Sequence, residues 1–160
     1  MARQLSPVAA VVVGLGCALM GTFIVLLGLG ALGEPPLADG VPAWVGVLGG
    51  VVFVLGGAAL IVGYVVAGGA TADGDLPPGT PFSVRLVQYL LGLGITMSLA
   101  SIASWVAFGP GPRQFGGSGT FGGGAVSETL GRAVFGLGAG LTWLFVITLG
   151  VVGLRRLGRR

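Results

Sequence analysis

Residues 7–32 read PVAAVVVGLGCALMGTFIVLLGLGAL, a stretch without a single charged side chain, Asn, Gln or His. As an α-helix, these 26 residues would extend about 39 Å at a rise of about 1.5 Å per residue, more than the roughly 30 Å of a bilayer's hydrocarbon core. A charge at the bilayer centre costs at least about 2.5 kcal/mol, so the spacing of charges along the chain decides how often it can cross. The eight arginines and five carboxylates leave four long uncharged intervals, at residues 4–33, 40–72, 86–112 and 133–154. Even the shortest interval is long enough to span once as a helix.

Punctuation residues trim these intervals to expected spans of 7–32, 43–67, 86–108 and 129–154. Pro7 fits a first helical turn, Gly33-Glu34-Pro35-Pro36 ends the first span, and Gly68-Gly69 follows the second. The third span follows the break Pro77-Pro78-Gly79-Thr80-Pro81 and stops before Gly109-Pro110-Gly111-Pro112. Ser127 is the expected N-cap of the fourth, with Glu128 favourably placed in its first turn. The fold class expected is all-α: an integral membrane four-helix bundle with glycine-rich helix interfaces, forming one domain over residues 1–160. Composition agrees, since 54% of the 160 residues are apolar and only 8% are charged, against about a quarter charged in soluble domains. A small outer-membrane barrel is excluded because runs such as Phe23-Ile24-Val25-Leu26-Leu27 do not alternate apolar and polar residues. The first apolar stretch exceeds the core of a cleaved signal, so it reads as a retained helix. Gly14 stands where a lipoprotein signal wants Leu, and Cys17 therefore reads as a small, unmodified residue facing another helix.

Glycine gives the expected contacts, because helices in lipid associate through close backbone approach. Gly14, Gly21 and Gly28 recur every seven residues, as do Gly49, Gly56 and Gly63, and a seven-residue repeat stays near one helix face. The two trios suit a closely packed antiparallel hairpin. Gly136-x-x-x-Gly140 offers a further small-residue face for the bundle or for a partner.

Orientation follows from arginine, which is retained on the cytoplasmic side. Four spans place Arg3, Arg85, Arg155, Arg156, Arg159 and Arg160 on the side of both termini, with Arg113 and Arg132 opposite. Both termini are expected in the cytoplasm, and the arginine tail is expected to touch anionic headgroups rather than nucleic acid.

Groups suited to catalysis are scarce in the chain. The chain has no His and one Cys, which removes histidine bases, haem ligation by histidine, the usual zinc sets and intrachain redox pairs. No carboxylate falls within a span, where coupled transporters commonly place one. Asp73-Gly74-Asp75 lacks the remainder of a calcium loop and reads as a turn. No metal, cofactor or enzymatic activity is expected. Gln88, Ser98 and Ser101 are expected to satisfy themselves on neighbouring backbone, Trp143 to find an acceptor inside the bundle, and Arg132 to pair with Glu128. Trp44, Tyr89 and Trp105 fall at an interface belt. The glycine-rich outer loop 109–127 carries Arg113, Phe115 and Phe121, and two readings stand: a flexible connector, or a contact with headgroups or a partner.

The stretch Trp105-Val106-Ala107-Phe108-Gly109-Pro110-Gly111-Pro112-Arg113-Gln114-Phe115, followed by Ser127-Glu128-Thr129-Leu130-Gly131-Arg132, resembles uncharacterised small bacterial four-span inner-membrane proteins. The resemblance covers the C-terminal third and implies an inner-membrane address and no activity. The expected role is an accessory or scaffold subunit of a membrane assembly, in contact with lipid and with another membrane protein or itself. The alternative is a small transport or pore-forming oligomer, and an enzyme acting on lipid ranks third. Alkaline carbonate is expected to leave the chain in the membrane pellet, and alkaline phosphatase fused after Arg160 to remain inactive in cells. An active fusion would reverse the assigned orientation.

Overall fold

The first helix, α1 (Pro7–Gly28), begins where the Ser6 hydroxyl accepts a hydrogen bond from the Ala9 N–H at 3.2 Å, with Pro7 in the first turn, where its missing N–H has no partner to lose. It ends four residues before its expected limit. Gly30 takes φ +73, Ala31 N–H donates to Leu26 O and Gly30 N–H to Leu27 O, which closes the last turn in the Schellman manner. The computed structural model describes residues 6–33, 40–66, 76–77, 79–112, 115–117, 124–126 and 128–158, with the side chains of 115–117, 124–126, 154 and 156–158 outside that description.

Three more helices follow, α2 (Ala43–Ile61), α3 (Phe82–Phe108) and α4 (Glu128–Gly158), with a π-helical turn at Val62–Val66 continuing α2. All four are long and apolar enough to cross a membrane. The protein is an all-α, multi-pass membrane protein whose helices form a four-helix bundle. Between 11% and 17% of each span is buried inside the protein, so most of the apolar surface faces outward, as lipid permits and water does not. The third helix starts at Phe82 rather than 86, with Pro81 at its N-cap, and it stops at Gly109, whose extended ψ of 154° suits the residue before Pro110. The fourth helix continues beyond its expected end, through the first two arginines of the tail. Ser127, expected as its cap, lies outside the described residues. A short antiparallel pair, β1 (Phe115–Gly117) with β2 (Gly124–Val126), forms within the third loop, pairing Phe115 with Val126.

Each helix packs on its neighbour in the chain: α1 on α2, α2 on α3, and α3 on α4. The tightest approach is α1 against α2. A Cβ added to Gly21 would lie 2.5 Å from Gly50 O, one added to Gly50 would lie 2.6 Å from Gly21 O, and one added to Gly14 would lie 2.8 Å from Gly57 O. At Gly28 the same atom would meet Val47 at 3.1 Å. The backbones touch where side chains would stand. Contact positions on α1 run Gly14, Ala18, Gly21, Val25, Gly28, and on α2 Val47, Gly50, Val54, Gly57, Ile61, alternating steps of three and four as interlocking helices require. Cys17 belongs to this seam, its Cβ 3.3 Å from the position of a Cβ on Gly57.

The α2 half of the groove is therefore not the expected trio. Gly49 and Gly56 have nothing within 4 Å of an added Cβ, and Gly63 meets only Gln88 Nε2 of α3 at 3.6 Å. Because glycines stand in doublets at 49–50 and 56–57, two stripes of identical period run about 100° apart on α2, and the second member of each doublet faces α1.

This geometry predicts opposite outcomes for adjacent residues. Gly21→Ala and Gly50→Ala should each destabilise the hairpin by about 1–3 kcal/mol through overpacking. Gly49→Ala and Gly56→Ala should be neutral or stabilising by up to about 1 kcal/mol through helix propensity. Helicity followed through denaturant titration in detergent measures the difference.

Candidate functional site

Polar chemistry inside the spans is almost entirely self-contained. Thr22, Ser98, Ser101, Ser104, Thr142 and Thr148 each donate to the carbonyl four residues earlier, at 2.7–2.9 Å, a bond that hides a hydroxyl from hydrocarbon without recruiting another helix. Ser104 has a second role. Its hydroxyl oxygen accepts the Trp143 indole N–H at 3.0 Å, which joins mid-span α4 to α3 and supplies the acceptor expected within the bundle, although the Trp143 ring remains 37% exposed.

Two further side chains bridge helices. Gln88 Nε2 donates to Ala59 O at 3.3 Å, beside the point where α2 passes into its π-helical turn. Gln88 Oε1 is buried with no hydrogen-bond partner among the described residues. Tyr89 donates to Gly150 O at 3.3 Å, and its ring lies against Gly153 so closely that a Cβ there would overlap it. Tyr89, one of the aromatics expected near a span end, packs onto α4, a pairing for which the glycines at 150 and 153 were the available signal.

The densest polar cluster lies at the opposite end, around Arg132. Its Nε donates to Glu128 Oε1 at 2.9 Å, the expected pair one turn apart. Its remaining nitrogens leave α4 altogether. One donates to Ala107 O at 3.3 Å and Gly109 O at 3.0 Å, and the other to Gly111 O at 2.5 Å. The last carbonyls of a helix have no partner within it, and a cation there also meets the negative end of the helix dipole. Arg132 thus caps α3 from the neighbouring helix and ties down the first residues of the third loop. Nothing in the sequence signals this, because carbonyl acceptors are the same at every residue. Beside the cap, Gly136 receives the Phe108 ring at 3.4 Å from a notional Cβ, while Gly140 has nothing within 4 Å. The expected pair therefore divides, Gly136 facing α3 and Gly140 facing outward. Trp44 and Trp105 meet edge to face at this same end, their ring centroids 6.2 Å apart, linking the start of α2 to the end of α3.

Of the loop residues singled out, Phe115 lies in β1, and Arg113 and Phe121 lie outside the described residues. Of the topology arginines, Arg85 and Arg155 are exposed, Arg156 lies within α4, and Arg159 and Arg160 lie outside the described residues. Among the described residues no three His, Cys, Asp or Glu side chains come together as a metal site would need. Compared with protein-family models, curated proteins and solved structures, the chain matches none.

The Arg132 cap is expected to rank three substitutions by stability. Arg132→Gln should cost about 1–3 kcal/mol, since it strips charged donors from helix-end carbonyls. Arg132→Lys should recover part of that loss as a point charge without the fork, and Glu128→Gln should cost under about 1 kcal/mol because the pair is partly exposed. Thermal unfolding in detergent gives the order.

Proposed function

We propose that this chain is a non-catalytic accessory or scaffold subunit of a membrane assembly in the bacterial inner membrane, with both termini in the cytoplasm. The observation that carries the reading is a surplus of glycine. The protein's own α1–α2 seam consumes Gly14, Gly21, Gly28, Gly50 and Gly57, while Gly16, Gly49 and Gly56, and Gly138 and Gly140 on α4, have no atom within 4 Å of an added Cβ. A glycine in a helix costs up to about 1 kcal/mol relative to alanine. Glycines that face outward carry that cost with no packing inside the chain to offset it, and contact with another membrane helix supplies the offset. Six arginines on the side of the termini against two on the other support the orientation, and the resemblance of the C-terminal third supports the address.

A small transport or pore-forming oligomer is the second reading. It is favoured by the same outward glycines, with copies of this chain as each other's partners, and by Gln88 Oε1, a buried acceptor without a donor among the described residues.

Native mass spectrometry after purification in mild detergent separates the two. The scaffold reading predicts a stoichiometric complex with a different membrane protein, and Gly49→Leu with Gly56→Leu should abolish that complex while leaving helicity intact. A closed homo-oligomer that passes ions in liposomes would replace this reading with the second.

A further inference from the structure

The two ends of the bundle differ in charge. Gly14 against Ile61, Gln88 against Ala59, and Tyr89 against Gly150 and Gly153 bring the start of α1, the end of α2, the start of α3 and the end of α4 to one end. In the sequence, the segments that adjoin those helix ends contain Arg3, Arg85, Arg155, Arg156, Arg159 and Arg160 against Asp73 and Asp75, a net charge of +4. Those that adjoin the opposite helix ends contain Arg113 and Arg132 against Glu34, Asp39 and Glu128, a net charge of −1.

Within the basic end, the Tyr89 contact sets the register of two arginines. Arg85 stands four residues beyond Tyr89 towards that end, and Arg155 two residues beyond Gly153. At about 1.5 Å per residue these are about 6 Å and about 3 Å, so the two positions lie within about 3 Å of the same depth. Arg85 falls about 40° round α3 from Tyr89, and Arg155 about 200° round α4 from Gly153, on the side turned away from Tyr89. Both are exposed, and the ion pair found among the described residues, Arg132 with Glu128, is at the other end. Arg85 therefore stands near the α3–α4 seam and Arg155 on the far side of α4, a band at one depth and not one pocket. Immediately on the hydrocarbon side of that band, Val87, Leu90, Val151 and Val152 are 41–53% exposed. The band therefore stands where acyl chains give way to headgroups, and a cation there meets lipid phosphate, whose charge stays uncompensated in a headgroup that carries no cation of its own.

We propose that Arg85 and Arg155 form a binding band for anionic phospholipids, which retains lipids of net negative headgroup charge around the α3–α4 pair in the leaflet facing this end. The band needs only that the bundle lies in lipid and is independent of the scaffold reading. The full chain is offered phosphatidylglycerol and phosphatidylcholine in equal amounts in detergent, and the retained lipids are counted by native mass spectrometry. Phosphatidylglycerol should be retained in preference, and each of R85Q and R155Q should lower that preference by up to about fivefold. R85K/R155K, which keeps the charge, should retain most of it. Equal retention of the two lipids overturns the proposal, and so does an R85Q/R155Q variant of native helicity that keeps the full preference. Inorganic phosphate at the lipid's concentration should displace none of the bound lipid, and complete displacement would mean a site for free phosphate instead.

Discussion

No water competes for a peptide carbonyl inside a bilayer, so every backbone polar group in a span has to find its partner within the protein. The rest of the structure follows from that constraint. Hydroxyls fold back onto their own helices, as in Ser98 to Gly94 O and Thr142 to Gly138 O. Among the described residues, a few side chains bond from one helix to another. Trp143 reaches Ser104, Tyr89 reaches Gly150, and Gln88 reaches Ala59. Hydrophobic exclusion contributes nothing to bringing the helices together in lipid, so contact itself has to do so. The α1–α2 seam meets that need by bare backbone contact at Gly21 and Gly50. The α3–α4 seam meets it differently, setting Phe108 against Gly136 and Tyr89 against Gly153.

The charged groups are confined to the ends, and the two ends use them in different ways. Arg132 turns inward onto three carbonyls, two of them at the close of α3, and is absorbed by the protein's own backbone. Arg85 and Arg155 turn outward. Among the described residues, the arginine at one end is thus satisfied by the protein itself, while those at the other are open to whatever anion the surroundings offer.

How much of this was legible beforehand depended on whether a residue type carried the signal. The spans were legible because a charge is either present or absent, and the interval between Arg132 and Arg155 admits one crossing. The face of α1 was legible because Gly14, Gly21 and Gly28 form its only seven-residue glycine series. On α2 the doublets Gly49-Gly50 and Gly56-Gly57 present two faces of equal merit by period, and only the partner's shape chooses between them. The pairing of Arg132 with Glu128 followed from their spacing on one helix. Its grip on Ala107, Gly109 and Gly111 did not, because backbone acceptors have no letter of their own. The end of α1 moved for a related reason, since the left-handed conformation at Gly30 belongs to one glycine among several that a helix would have accommodated.

The order of packing, in which neighbours in the chain lie against one another and α1–α2 and α3–α4 are the larger contacts, bears on how the protein is built. A ribosome delivering this chain to the membrane releases α1 and then α2, and the two can close their mutual interface before the third has fully emerged. The next pair arrives with its own interface, and one remaining contact, α2 with α3, joins the finished halves. Assembly in this order needs no early segment to wait unpaired for a distant late one.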